Sequence, residues 1–173
     1  MKRRHPIIRF LKHLISAAWP TSWQVQKHFS DSALNRIEKA IKASEQTHTG
    51  EIRFVVESCL HPLEILYKKM PKKRALELFS RFNIWDTAQN NGVLIYLLLA
   101  DRDVEIVADR GIHQHVGNDR WDAICHTMEI QFRQGNFEAG VLQGLSEISH
   151  LLQKHYPVDG EISNELPNTP IIL

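Results

Sequence analysis

Hydrophobic and polar positions change their spacing several times along the chain, and each change marks an element. Over residues 7–18, Ile7, Leu11, Leu14, Ile15 and Ala18 fall on one helical face, with Arg9, Lys12, His13 and Ser16 largely opposite. Pro20 ends this segment. The spacing predicts an amphipathic helix whose apolar stripe packs on the protein's own domain. An anionic membrane is the alternative seat for a basic helix of this kind. Trp19, Trp23 and Phe29 follow, interleaved with Lys27 and His28, and read as a hydrophobic latch.

A second helix is marked by Leu34, Ile37, Ala40 and Ile41, with Ser30, Asp31 or Ser32 able to cap its start. Thr49-Gly50 breaks it, and "EIRFVVES" reads as a strand. Pro71 suits the first turn of the next helix, which carries Ala75, Leu78, Phe79 and Phe82 on one face. "GVLIYLLLA" is continuously apolar, so it predicts a central strand covered on both sides. The break "DRD" at 101–103 is too short for a crossover helix, so "VEIVAD" must return antiparallel. Two helices follow. One carries Trp121, Ile124, Cys125, Met128 and Phe132 and stops at Gly135. The other is capped by Asn136 and buries Val141, Leu145, Ile148 and Leu152. Gly140 and Gly144 would thin one of its faces for close approach, at some cost in helix propensity. The tail "NELPNTPIIL" is punctuated by proline and reads as extended.

This order predicts a three-layer α/β/α sandwich with a mixed sheet, the first two strands parallel and an antiparallel hairpin at 93–109. The expected divisions are a basic amphipathic extension over 1–29, the α/β/α domain over 30–156 and an extended tail over 157–173. At 173 residues the chain suffices for one domain with extensions. Its charge is uneven. Residues 1–50 carry nine Lys or Arg against three Asp or Glu, and the remainder twelve against seventeen. A basic head on a mildly acidic body suggests a docking arm.

Cys59 and Cys125 have no metal-type spacing and read as two thiols in a reducing compartment. Arg9, Lys12 and His13 interrupt what would be the apolar core of a signal peptide, and no run is long enough to span a membrane. The expectation is a cytoplasmic protein, peripheral to the membrane if the basic head binds there. Glycine-rich phosphate loops, a G-x-S-x-G elbow and an H-E-x-x-H pair are all absent from the sequence. No nucleotide cofactor is therefore expected, and nucleic acid is not an expected partner.

Candidate chemistry gathers at one end of the hairpin. With the turn centred near Arg102, Asp109 should fall near Ile95 and Gly111 near Val93. The incoming loop then brings Asp86, Asn90 and Asn91 beside Asp109, His113, His115 and Asp119 of the outgoing one. Carboxylates and amide oxygens suit Ca²⁺ or Mg²⁺, whereas the imidazoles would favour Zn²⁺. Asn90, Asn91, Asp109, His113 and Asp119 are the candidate ligands. The alternative is structural: a turn at Asn90-Asn91-Gly92, with Asp109 or Asp119 capping a loop or helix. At the opposite end stand Glu57, Asp101 and Asp103, turn formers or a secondary site at the carboxyl edge of a parallel pair.

"TGEIRFVVES", "RALELFSRFNIWDTAQNNGVLIYLLLADRDVEIVADRGI" and "FRQGNFEAGVLQGL", in this order, resemble the TPM-domain family, named for thylakoid-lumen, photosystem-repair and receptor-associated members. The resemblance covers residues 48–153 and implies a Rossmann-like α/β/α sandwich. For function it implies acid phosphatases, proteins that bind calcium or other divalent ions, and accessory proteins of membrane complexes. The family's "DNG" aligns with Asn90, Asn91 and Gly92, so Asn90 replaces an Asp. Its "G-x-G-hydrophobic-E" reads Asp109, Arg110, Gly111, Ile112 and His113, so an imidazole stands where a carboxylate is usual. The chain resembles a cytoplasmic bacterial branch. The expected function is an interaction or accessory module with a protein partner, stabilised by a divalent cation. The alternative is weak, metal-dependent hydrolysis of phosphate esters.

Overall fold

The computed structural model describes residues 6–67, 69–160 and 164–173. Among these, the strands Ile52–Glu57 (β1), Val93–Leu98 (β2), Asp103–Ala108 (β3) and Ile171–Ile172 (β4) form one sheet in the order β3-β2-β1-β4. β1 runs parallel to β2 and to β4, and β3 returns antiparallel to β2. Every residue of β1 and β2 is buried, Arg53 and Glu57 of β1 included; the continuous apolar run of β2 is what a strand covered on both faces requires.

Helices cover both faces. The helices Asp31–Ser44 (α3), Asn118–Arg133 (α7) and Phe137–His155 (α8), with the short Thr21–Gln26 (α2), pack around Phe54, Val56, Ile95 and Leu97. The other face, with Val55, Leu94, Tyr96 and Leu98, is covered by Pro71–Arg81 (α5) and the short Pro62–Leu66 (α4). The architecture is the α/β/α sandwich expected from the sequence.

Ser30 caps α3, its Oγ accepting from the Ala33 N–H at 3.2 Å, and Pro71 occupies the first turn of α5. Asn136 precedes α8 but does not cap it; its amide donates to Gln131 Oε1 at 3.2 Å. α7 and α8 meet closely at Gly140 and Gly144, where a Cβ would fall on the Phe132 ring and the Met128 side chain. Both cysteines are free thiols.

Several expectations are corrected. The hairpin turns earlier than Arg102: Leu98 pairs with Asp103 and Val93 with Ala108, so Asp109 stands beyond Val93 rather than opposite Ile95. Leu99 and Ala100 lie in the turn, and their N–H groups donate to Glu57 O and Ser58 O. The segment after β3 is no loop, for Arg110–Val116 forms a helix (α6). The end of the tail, Ile171–Ile172, is extended as read from the sequence and adds a strand beside β1.

A further correction concerns the helix Pro6–Ala17 (α1), whose orientation is the reverse of that expected. His13 is fully buried and the Arg9 side chain only 13% exposed, while Ile7, Ile8, Leu11, Leu14 and Ile15 are each 46–64% exposed. The apolar stripe faces outward.

Candidate functional site

The two polar loops do converge where β2 begins and β3 ends. The Asp109 N–H donates to Gly92 O at 2.8 Å, and the Ile112 N–H to Asn90 O at 3.3 Å. The approach depends on glycines: a Cβ on Gly111 would strike Asn90 O, Gln89 O and the Tyr156 hydroxyl, and one on Gly92 would strike Ile84 O. Asn90 itself adopts a left-handed backbone, φ 52°, which asparagine tolerates better than most residues.

Within this junction Asn91 is fully buried. Its N–H donates to Thr87 Oγ1 at 3.1 Å and its side-chain amide to Thr49 O at 3.1 Å. Asp109 caps α6, with Oδ1 accepting from the Arg110 N–H at 2.6 Å. Each retains one buried oxygen, Asn91 Oδ1 and Asp109 Oδ2, without a hydrogen-bond donor. Nearby, burial and then the Asp109 charge raise the Tyr156 phenol above its usual pKa.

The other candidates stand differently. His113 and His115 lie on α6, and the His115 ring stacks on His155 with centroids 4.8 Å apart. Burial, then His115 and Lys154, hold the His155 imidazole below its ordinary range. Asp86 is exposed, and Asp119 is exposed in the first turn of α7, where its charge suits the helix dipole. Among the described residues, no group of three or more His, Cys, Asp or Glu gathers as for a metal ion.

At the other end of the sheet, Glu57 and Asp101 serve separate partners. Glu57 accepts from both Arg74 Nε and Nη2, at 2.9 and 2.8 Å, and from the Tyr96 hydroxyl at 2.6 Å. Burial, then Glu57, pushes the Tyr96 phenol far up, and Asp103 adds to that shift. Asp101 anchors α1. Its Oδ2 accepts from Arg9 Nε at 2.8 Å and lies 3.3 Å from His13 Nε2. His13 Nδ1 accepts from the Leu60 N–H at 3.0 Å, and Arg9 Nη1 donates to Lys69 O at 3.0 Å. Polar contacts thus bind the polar face of α1 to the domain, and they leave the stripe outside.

Where β1 and β2 end, a cleft of about 320 Å³ opens beside α1 and α2, lined by Trp19, Trp23, Lys27, His28, Ser58 and Leu99 among others. The two indole rings stack at 5.3 Å, and Lys27 Nζ lies 5.9 Å from the Trp23 ring centre. Sequence reasoning marked the aromatic and basic residues here but missed their exposure. It also missed the Arg9–His13–Asp101 anchor, whose only signal is a histidine and an arginine four apart on one helical face.

The sequence profile of the TPM domain matches residues 24–151. The BA42 protein of the psychrophilic bacterium Bizionia argentinensis, solved by NMR, is 31% identical, with a TM-score of 0.73 over 83% of this chain and 94% of that one. The N-terminal domain of a P. gingivalis protein is 18% identical, with a TM-score of 0.60 over 76% of this chain and 83% of that one, a likeness of fold. No curated protein matches. With its profile matched over most of its length, the chain belongs to the TPM domain family.

Proposed function

We propose that this TPM domain is an accessory module that docks through its N-terminal face. The supporting observation is the outward stripe of α1. Five large aliphatic side chains are held in solvent by a helix whose polar face is tied down through Arg9, His13 and Asp101. Leaving them exposed forgoes on the order of 1.5 kcal/mol or more per side chain relative to burial. A contiguous exposed apolar patch of this kind marks an interaction surface. The test is a full-length Leu11→Ser/Leu14→Ser/Ile15→Ser variant. In cell extracts the wild type should fractionate with a membrane or a larger complex, and the variant should run as a free monomer with unchanged thermal stability. Identical fractionation of the two would refute the reading.

A second reading is a divalent-cation site that supports weak phosphate-ester hydrolysis. It is favoured by the donor-free buried oxygens Asn91 Oδ1 and Asp109 Oδ2, which fit the oxygen preference of Ca²⁺ or Mg²⁺. Main-chain carbonyls of the two loops would have to complete the shell, with His113 nearest in sequence to supply an imidazole. A bound ion would polarise a phosphoryl oxygen or activate water. Ca²⁺ or Mg²⁺ should then raise the melting temperature, an effect lost in Asp109→Ala, and the protein should turn over p-nitrophenyl phosphate. Absence of both effects removes this reading.

A further inference from the structure

The docking reading leaves the occupant of the face open, and the surrounding charge narrows it. Among the described residues up to Ser30, Arg9 is paired inward with Asp101, and Lys12 and Lys27 are the charges left at the surface. Lys12 and Lys27 are exposed beside the stripe, and Trp19 and Trp23 continue it, 56% and 52% exposed. His28 lies at the same edge; burial, then the charges of Lys27 and Arg102, hold its imidazole below the ordinary range. The face is therefore apolar in its middle and positive at its border, with indoles between.

That arrangement suits an anionic bilayer surface. Aliphatic side chains of a helix lying in the plane of the membrane enter the headgroup–acyl boundary, indoles sit at headgroup level and lysines meet lipid phosphates. A second copy of the chain fits less well, because a two-fold contact would set the exposed lysines Lys12 and Lys27 against their own copies. None of the described helices is long and apolar enough to cross a membrane. Resting on the docking reading, we propose that α1, Trp19 and Trp23 form a peripheral membrane-binding face selective for anionic lipid, with Lys12 and Lys27 as its phosphate contacts.

The cleft beside Trp19 and Trp23 deepens the proposal. It is bordered by Lys27 and His28 and lies next to the face that would meet the lipid. A phosphodiester headgroup could enter it while the acyl chains stay against Leu11, Leu14 and Ile15.

The test uses the purified full chain and vesicles of phosphatidylcholine, with or without about 30% phosphatidylglycerol. The wild type should float with the anionic vesicles at least about tenfold better than with the neutral ones, and tryptophan emission should shift to the blue. Raising salt from about 50 to about 500 mM should weaken binding. Lys12→Glu/Lys27→Glu should lose the preference for phosphatidylglycerol, and Leu11→Ser/Leu14→Ser/Ile15→Ser should lose binding to both vesicles. Both variants should melt with the wild type, since all five positions are exposed. Equal binding to both vesicles, or none to either, overturns the lipid proposal. If lipid binding is absent but the chain self-associates through the stripe, shown by sedimentation and reversed in the serine variant, docking survives without the membrane. If neither occurs, the lipid proposal is overturned, and docking on another protein is decided by the extract fractionation of the serine variant.

Discussion

Asp101 decides which way α1 faces. A carboxylate buried in the β2–β3 turn needs charged or hydrogen-bonding partners, and it obtains them from Arg9 and His13. Asp101→Ala leaves the largely buried Arg9 guanidinium without its carboxylate, with Lys69 O as its remaining acceptor. Removing one member of such a buried pair should cost about 3 kcal/mol, read from urea unfolding of the full chain. A change within about 0.5 kcal/mol, typical of an exposed surface position, would mean that α1 is not anchored there. The same scale shows what the sequence could carry. It marked Asp109 as a possible cap and Asn91 as a turn or site residue, and both placements follow from local chemistry. It could not reveal the Asp101 contact, because that depends on a pairing across about ninety residues that no local pattern records. Asp109→Ala should cost about 1 kcal/mol through loss of the α6 cap, with or without divalent ions. A larger loss confined to solutions containing Ca²⁺ would instead favour the cation site.

At the scale of elements, the two glycines of α8 should respond differently to alanine. Each substitution gains about 1 kcal/mol of helix propensity. At Gly140 the new methyl meets the flat Phe132 ring, held in the core, so overpacking of about 1–3 kcal/mol should outweigh the gain. At Gly144 it meets Met128, a flexible side chain that can move aside. Gly140→Ala should therefore unfold at lower denaturant than wild type and Gly144→Ala near it or above. The reverse order would refute this account of the α7–α8 contact. Long helices were legible because several turns of 3.6-residue spacing mark a face. The short α2, α4 and α6 offer too few turns for that signal, and β4 too few residues for a strand signal. The hairpin register was missed for a related reason: Leu99 and Ala100 continue the apolar run of β2 into the turn, so nothing in hydropathy marks where the strand stops.

Across the whole molecule, buried charge secures both ends of the chain to the sheet. α1 is held by Asp101, and the tail by Glu51, whose carboxylate accepts from the N–H groups of Glu165 and Leu166 at 2.9 and 3.1 Å. The acidic body and basic head were visible in the sequence, but an amphipathic helix does not encode which face its domain will take. Glu45, beside Glu51 and Arg53, gives this scale its test. Burial pushes its carboxyl up from 4.5 to about 7, against the opposing hydrogen bond from the Ile52 N–H. Between those values the folded chain keeps a proton that the unfolded chain has lost, so this group's contribution to stability falls as pH rises from about 5 to about 7. His48 acts in the opposite sense: burial lowers it from 6.5 to about 4, so the unfolded chain takes up its proton first and stability falls on acidification through that range. The two slopes oppose each other, and a wild-type pH profile alone would hide both. Glu45→Gln isolates one of them. In urea titrations across this range, the variant should gain stability relative to wild type as pH rises from about 5 to about 7. A difference that stays constant with pH would mean that Glu45 is ionised throughout, and that the amino end of β1 holds its charge by some other pairing.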